Sequence, residues 1–317
     1  MQAAVHLPQM GLNGTVPRVD RVVEVAAAAR DLGLAAVSAN DHLAFSRPWL
    51  DGPTLLAAVA RDVDGLELAT TVALPVLRGP AQLAATFAGL AALAPGRVVA
   101  GLGPGSSPTD FALARTPFDE RFTRFDEAIA VMRDLLRGGP VPASWGGPLP
   151  DGVRPVGNTS EPIPLWLASW GSAAGLRRVA RLGDGWLASA YNTTPDRFAD
   201  AVHTLDTEAA RRGREAIPAA LATMWTWITD DEREARQVVD DLLAPTLGRD
   251  PQELAGRVSV GTPERCADLL SRYAASGCSR VYFWPVRDEV AQLHRLVTEV
   301  LPRVRPAAPA AGRQWQP

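Results

Sequence analysis

Four times along this 317-residue chain a helix-like segment stops at a glycine, and a short apolar run then leads into a polar loop. The segments are Ala28–Asn40, Leu93–Gly105, Ala180–Asn192 and Ala275–Val286. A glycine just past the last helical turn takes up the left-handed conformation that other residues resist. The apolar runs have the length of strands buried on both faces, as parallel strands are. About eight such units close into a (β/α)8 barrel. The pattern therefore predicts an α/β fold: a single (β/α)8 barrel over residues 1–303 and a disordered tail over 304–317. Reactive side chains then belong on the loops that follow the strands.

Strands are expected at Ala3–Leu7, Ala35–Ser38, Leu66–Val72, Val98–Leu102, Leu165–Ala168 and Gly185–Ala188, near Ala219–Ile228, and at Arg280–Trp284. Val22, Val23, Ala26 and Ala29 recur at helical spacing over Val19–Leu32. Phe122, Phe125, Ile129, Met132 and Leu136 mark one face of a later helix that ends at Gly138–Gly139. Residues 138–164 are rich in Pro and Gly, and the βα rhythm resumes after them, so they read as a long insertion before strand 5. A charged helix from Asp230 and an irregular stretch to Val260 follow strand 7. Thr262 as N-cap with Pro263 in the first turn starts the last well-signalled barrel helix.

Composition narrows the chemistry. A net charge of −3 gives no electrostatic case for nucleic acid or an anionic membrane. No apolar run approaches the ~18 residues of a spanning helix, and the N-terminus lacks a signal-like pattern, so a cytoplasmic protein is expected. All 32 basic residues are arginine. Without lysine there is neither a Schiff base nor a P-loop. The four histidines and two cysteines show no metal-ligand spacing, and no metal site is expected. Cys266 and Cys278 read as a buried reduced pair.

Four loops could carry chemistry. Asn40-Asp41-His42 follows strand 2, where an imidazole beside a carboxylate can move a proton; a capping aspartate next to a solvated histidine is the competing reading. Gly101-Leu-Gly-Pro-Gly-Ser-Ser107 lets backbone approach a flat ring or a phosphate, although a plain tight turn would use the same glycines. Its G-x-G-x-G spacing departs from the dinucleotide-binding fingerprint. Ser169-Trp170-Gly171-Ser172 opens a helix and offers hydroxyls and N–H groups to a phosphate, or merely caps that helix. Thr70-Thr71-Val72 closes strand 3. Trp49, Trp170, Trp225, Trp227 and Trp284 recur near strand ends and suggest an aromatic pocket for a planar ring. His6 reads as structural.

With these motifs in order, the chain resembles the bacterial luciferase-like family of flavin- or coenzyme F420-dependent oxidoreductases. The resemblance runs from about Val5 to Arg303. It is carried by His6-Leu-Pro-Gln9, Asn40-Asp41-His42, Thr70-Thr-Val-Ala-Leu-Pro75, Gly96-Arg-Val-Val-Ala-Gly-Leu-Gly-Pro-Gly105, Phe118-Asp-Glu-Arg121, Asp126-Glu127, Gly183-Asp-Gly-Trp186 and Gly261-Thr-Pro-Glu264.

The resemblance implies a cofactor lying across the C-terminal mouth of the barrel. Asp41 and His42 would meet a deazaflavin, with His42 donating or orienting a proton and Asp41 fixing its tautomer. Thr71 and Val72, in the place of a bulge that often contains a non-prolyl cis peptide, would back the ring. Gly103 and Ser106 would line it, and Ser169, Trp170, Gly171 and Ser172 would hold the phosphate. F420 is the preferred cofactor, with hydride transfer to or from a small organic substrate. The alternative is an FMN-dependent monooxygenase whose reduced flavin comes from a separate reductase. A flavin-binding barrel without turnover is the reading from another class. A homodimer is the family's common assembly. Two departures stand out: Ser106 occupies the place of the glutamate acid of the sugar-phosphate dehydrogenases, and the lysines that hold their substrate phosphate are absent.

Overall fold

The computed structural model describes residues 1–139, 141, 145, 147, 149–155, 159 and 161–305. Nine parallel strands form its sheet: β1 Gln2–His6, β2 Ala36–Ala39, β3 Glu67–Thr70, β4 Val98–Leu102, β5 Leu165–Ala168, β6 Gly185–Ser189, β7 Ala219–Ile228, β8 Ser259–Gly261 and β9 Cys278–Pro285. β1 to β6 pair in sequence order, β6 pairs with β7, β7 with β9, and β9 with β1, which closes an eight-stranded ring. The expected barrel is therefore present, its strands displaced by a residue or two from the sequence reading. β8 is the departure. It lies in the stretch expected to be irregular and pairs only with Thr226–Ile228 at the outer end of β7.

Alternation along the strands sorts the core into two shells. Ala4, Ala36, Ala69, Val99, Trp166, Leu187, Ala220 and Tyr282 form the inner cluster. Alanines on four of these strands leave room for the indole and phenol that fill the lumen. At its base Arg280 is buried and binds Glu67 at 2.7 Å and Gln2 at 2.6 Å, which seals the N-terminal end with satisfied polar groups. The outer shell joins residues such as Val5, Val37, Leu68 and Phe283 to the apolar faces of the helices.

β7 changes parity partway. Leu221 pairs with Val281 but Met224 with Phe283, so one extra residue sits in β7, where Thr223 has φ 56°. A one-residue bulge exchanges the faces of everything after it. Met224 thus joins the outer shell, and Trp225 stacks on Trp284 at the mouth.

The chain between β7 and β9 folds over that mouth as short helices at Glu232–Gln237, Ala244–Leu247 and Pro251–Ala255, with a π-helical turn at Val238–Leu243. Val238, Leu243 and Leu254 pack there on Trp225, Trp227 and Trp284. A helix over Pro195–Ala210 completes the ring between β6 and β7. Its signal was present in the sequence: Thr194 caps it, Pro195 follows, and Phe198, Ala201, Val202 and Leu205 share one face.

Part of the insertion at 138–164 and residues 306–317 of the expected tail lie outside the described residues. Arg305, assigned to the tail, still donates its backbone N–H to Ser271 Oγ at 2.9 Å. Among the described residues no helix is long and apolar enough to cross a membrane.

Candidate active site

His42 stands on the loop after β2, at the C-terminal end of the barrel, with about a fifth of its side chain exposed. Its Nδ1 lies 2.8 Å from Asp110 Oδ2. The other oxygen of Asp110 accepts the backbone N–H groups of Leu43 at 3.1 Å and Ala44 at 2.8 Å. Asp110 belongs to the short helix Pro108–Leu113 after β4, and Ser107 caps that helix by accepting the N–H of Asp110 at 3.2 Å. The carboxyl group is 1% exposed. Burial would push its pKa up, but the hydrogen bonds from His42 and from the two backbone N–H groups outweigh this and hold it below the ordinary carboxylate range. Asp110 is therefore ionised and can only accept, so the shared proton sits on His42 Nδ1.

This corrects the expected pairing within Asp41-His42. Adjacent side chains on a non-helical loop point apart, so two neighbours in sequence do not meet. Asp41 turns inward and accepts from the Leu74 N–H at 3.1 Å, from Arg78 Nε at 2.6 Å and from Arg78 Nη2 at 2.5 Å. Arg78 also binds Asp51, whose side chain caps the helix Gly52–Val59. The Asp41 carboxylate is thus committed to tying together the loops after β2 and β3, and the carboxylate bonded to His42 is that of Asp110. Sequence reading missed Asp110 because Ser107-Pro108-Thr-Asp110 looks like an ordinary helix start.

The Thr71–Val72 peptide is cis. β3 ends at Thr70, short of the expected Val72, and Ala73 rejoins the sheet by donating its N–H to Gly101 O at 2.8 Å. The N–H of Asp41 bonds to Val72 O at 3.0 Å, which places the bulge against the loop that carries His42. Gly101 and Gly103 make this packing possible. A Cβ on Gly101 would lie 1.8 Å from Thr70 O, and one on Gly103 would lie 2.5 Å from Val72 Cγ2. Asp41, His42, Thr71, Val72 and Gly103 therefore gather at one part of the rim. Ser106, two residues before the helix of Asp110, is exposed there.

Beyond β5, the Ser169 hydroxyl accepts the Gly171 N–H at 3.2 Å and the Ser172 hydroxyl accepts the Gly175 N–H at 3.2 Å. Gly171 has φ 86°, and Trp170 projects into solvent with 59% of its surface exposed. Ser172 caps the ten-residue helix Ala173–Leu182, so the capping reading of this motif holds, and the first N–H groups of that helix open toward the same rim.

An aromatic cluster closes the other side of the mouth. His6 stacks on Trp284 with centroids 3.5 Å apart, and Trp225 stacks on Trp284 at 4.2 Å. Trp49 meets Trp284 edge-on at 5.9 Å and His42 at 4.8 Å. The continuous contact His6–Trp284–Trp49–His42 links the lumen to the His42 ring. His6 is fully buried, and that burial lowers its pKa to about 3 against smaller opposing hydrogen bonds with Leu7 O and Asn40. It is neutral and donates Nδ1–H to Leu7 O at 2.8 Å. Cys266, on the helix Pro263–Ala275, and Cys278, at the start of β9, are buried free thiols.

A held imidazole, a bulge packed on glycines and a helix start all lie at the C-terminal ends of parallel strands, the end at which barrels of this kind carry their sites. The chain belongs to the luciferase-like monooxygenase family, whose model matches residues 2–280. It is similar to an F420-dependent glucose-6-phosphate dehydrogenase from Gordonia bronchialis, 29% identical over 57% of this chain and 56% of that protein. It is also similar to an F420-dependent hydroxymycolic acid dehydrogenase from Mycobacterium tuberculosis, 32% identical over 69% of this chain and 62% of that one. In both, the match spans less than two thirds of the relative. Among solved structures, an F420-dependent secondary alcohol dehydrogenase in complex with an F420–acetone adduct superposes with a TM-score of 0.81 over 96% of this chain and 99% of that chain, at 16% identity. That likeness concerns the fold.

Proposed function

We propose that this protein is an F420-dependent oxidoreductase that moves a hydride to or from a small organic substrate, with an alcohol and its carbonyl compound as the reacting pair. The observation that carries this reading is His42: a partly exposed imidazole at the barrel mouth, bonded at one nitrogen to Asp110 and without a hydrogen bond at the other among the described residues. The F420-dependent relatives support the choice of cofactor.

The residues present fit such a group. Gly103 has no Cβ, so the Thr71–Val72 bulge can pack flat on β4 and offer its outer face to a ring. Ser169, Trp170, Gly171 and Ser172, with the first N–H groups of the helix Ala173–Leu182, would hold the phosphate, an arrangement that needs no lysine. When bound, the deazaflavin supplies a two-electron hydride acceptor or donor. The chain's own part is to orient, to shield from water and to handle the proton. His42 takes the hydroxyl proton as an alcohol is oxidised and returns it to the oxygen in the reverse direction. Phe45 and Trp49, both within 5 Å of the His42 ring, keep bulk water from it.

Beside the mouth a cleft of about 340 Å³ is lined in part by Met10, Leu12, Leu242 and Val286. Met10 and Val286 belong to the same apolar cluster as Trp225 and Trp284, and Arg18, Arg21, Arg287 and Glu289 line the rest of the cleft. The reduced or oxidised cofactor would be regenerated by a separate enzyme.

Side-by-side titration of the protein with F420 and FMN, oxidised and reduced and followed by tryptophan fluorescence, tests the reading. Selective F420 binding is expected. Selective binding of reduced FMN would replace it with the monooxygenase alternative, and binding of neither would leave no oxidoreductase role.

A further inference from the structure

We infer that Asp110 is a positioning residue for His42: it holds the imidazole in the Nδ1–H tautomer, so that Nε2 meets the substrate as a proton acceptor. This rests on the reading of His42 as the proton-handling group and deepens it.

The two oxygens of Asp110 have separate tasks. Oδ1 holds the Leu43 and Ala44 N–H groups and so fixes the backbone just past His42. Oδ2 receives His42 Nδ1–H at 2.8 Å. Asp110 is itself buried, sits in the first turn of its helix and donates its N–H to the cap Ser107. The ring also packs against Trp49 and Phe45, with centroids 4.8 and 4.9 Å away. A ring bonded at Nδ1 and packed against two aromatic side chains has one nitrogen without a hydrogen-bond partner among the described residues. In the neutral ring with its proton on Nδ1, Nε2 carries a lone pair.

The consequence is a defined division of charge in alcohol oxidation. The substrate O–H bond breaks and its proton passes to Nε2. The carbinol C–H bond breaks with its electron pair, which leaves as hydride to the cofactor, and the C–O bond becomes a carbonyl. The imidazolium that forms lies against the Asp110 carboxylate, which is already ionised and desolvated. A purely structural aspartate would need only the Oδ1 contacts. The separate Oδ2 contact to the ring is what assigns it to the reaction.

Asp110→Asn separates the two tasks. Its single carbonyl oxygen can keep the Leu43 and Ala44 N–H groups, whereas its NH2 group then faces Nδ1. The ring must answer with a lone pair at Nδ1 and carry its proton on Nε2. Imidazole ¹⁵N shifts of the ligand-free protein, with the His42 signals identified by their loss in His42→Gln, read this directly at a pH where the ring is neutral. Nδ1–H is expected in the wild type and Nε2–H in Asp110→Asn. In turnover of a secondary alcohol such as cyclohexanol with F420, kcat should fall by about 10²- to 10⁴-fold in the variant while KM stays within a few-fold.

An Nε2–H tautomer in the wild type overturns the assignment even if the variant does not fold, and so does the same tautomer in both proteins. An inverted tautomer with unchanged kcat also overturns it. If the tautomer inverts as expected but the wild type oxidises no alcohol with F420, the assignment to Asp110 stands and the proposed function fails.

Discussion

Arg78 grips both oxygens of Asp41, with Nε on Oδ2 at 2.6 Å and Nη2 on Oδ1 at 2.5 Å, and the pair is largely buried between the loops after β2 and β3. Because Arg78 also reaches Asp51, one guanidinium sets the Asn40–His42 loop, the bulge after β3 and the start of the helix Gly52–Val59 relative to one another. Removing one partner of a buried pair leaves the other charge desolvated and alone. Arg78→Ala is expected to cost about 3 kcal/mol, the low end for such pairs because Arg78 itself is partly exposed. Urea unfolding checks this, and a change below about 0.5 kcal/mol would show that the clamp is not structural.

His42→Ala should abolish proton transfer while leaving the cradle for the cofactor intact. Turnover is expected to fall by about 10²- to 10⁴-fold with cofactor affinity within a few-fold of wild type. Parallel binding and steady-state measurements distinguish this from general damage, since a matched loss of affinity would place His42 in binding instead.

His6 makes stability depend on pH. Its folded-state pKa, about 3, lies below the roughly 6.5 of an unfolded histidine, so between these values the unfolded chain binds the extra proton. Stability from this group is complete above about pH 6.5 and is lost as pH falls toward 3. Between pH 6.5 and 5 that is about 2 kcal/mol, at 1.36 kcal/mol per unit. His6→Phe keeps a ring against Trp284 without a titrating nitrogen, so its stability should fall about 2 kcal/mol less than that of wild type over this interval. Denaturant unfolding at both pH values makes the comparison, and parallel slopes for the two proteins would refute it.

Gly101→Ala introduces a Cβ 1.8 Å from Thr70 O and 2.7 Å from Leu187 Cδ1. The leucine can rotate away, but a backbone carbonyl in the sheet cannot, so the strand ends must separate. A loss of about 1–3 kcal/mol is expected, read from denaturant unfolding. At Gly89, where nothing lies within 4 Å of an added methyl group, Gly89→Ala provides the control and should be neutral or slightly stabilising.

The sequence by itself determined the barrel and the buried faces of most of its elements, Phe122 being an exposed exception. Glycine stops, N-caps such as Thr262 and the apolar strand runs are local signals, and each acts within a few residues through backbone geometry or burial. It also placed His42 correctly at the end of β2, because position along a βα unit fixes position on the barrel. Other features needed the closed ring. His42 and Asp110 are 68 residues apart, and only the adjacency of the β2 and β4 loops across the short end of β3 brings them together. Asp41 and His42 are neighbours in the chain, yet the fold sends one to Arg78 and the other to Asp110. The bulge at Thr223 decides that Trp225, rather than Met224, lines the mouth, and its position follows from the register with β9. Local propensities set which elements form; contacts between distant loops are set by how eight tilted strands meet when the barrel shuts.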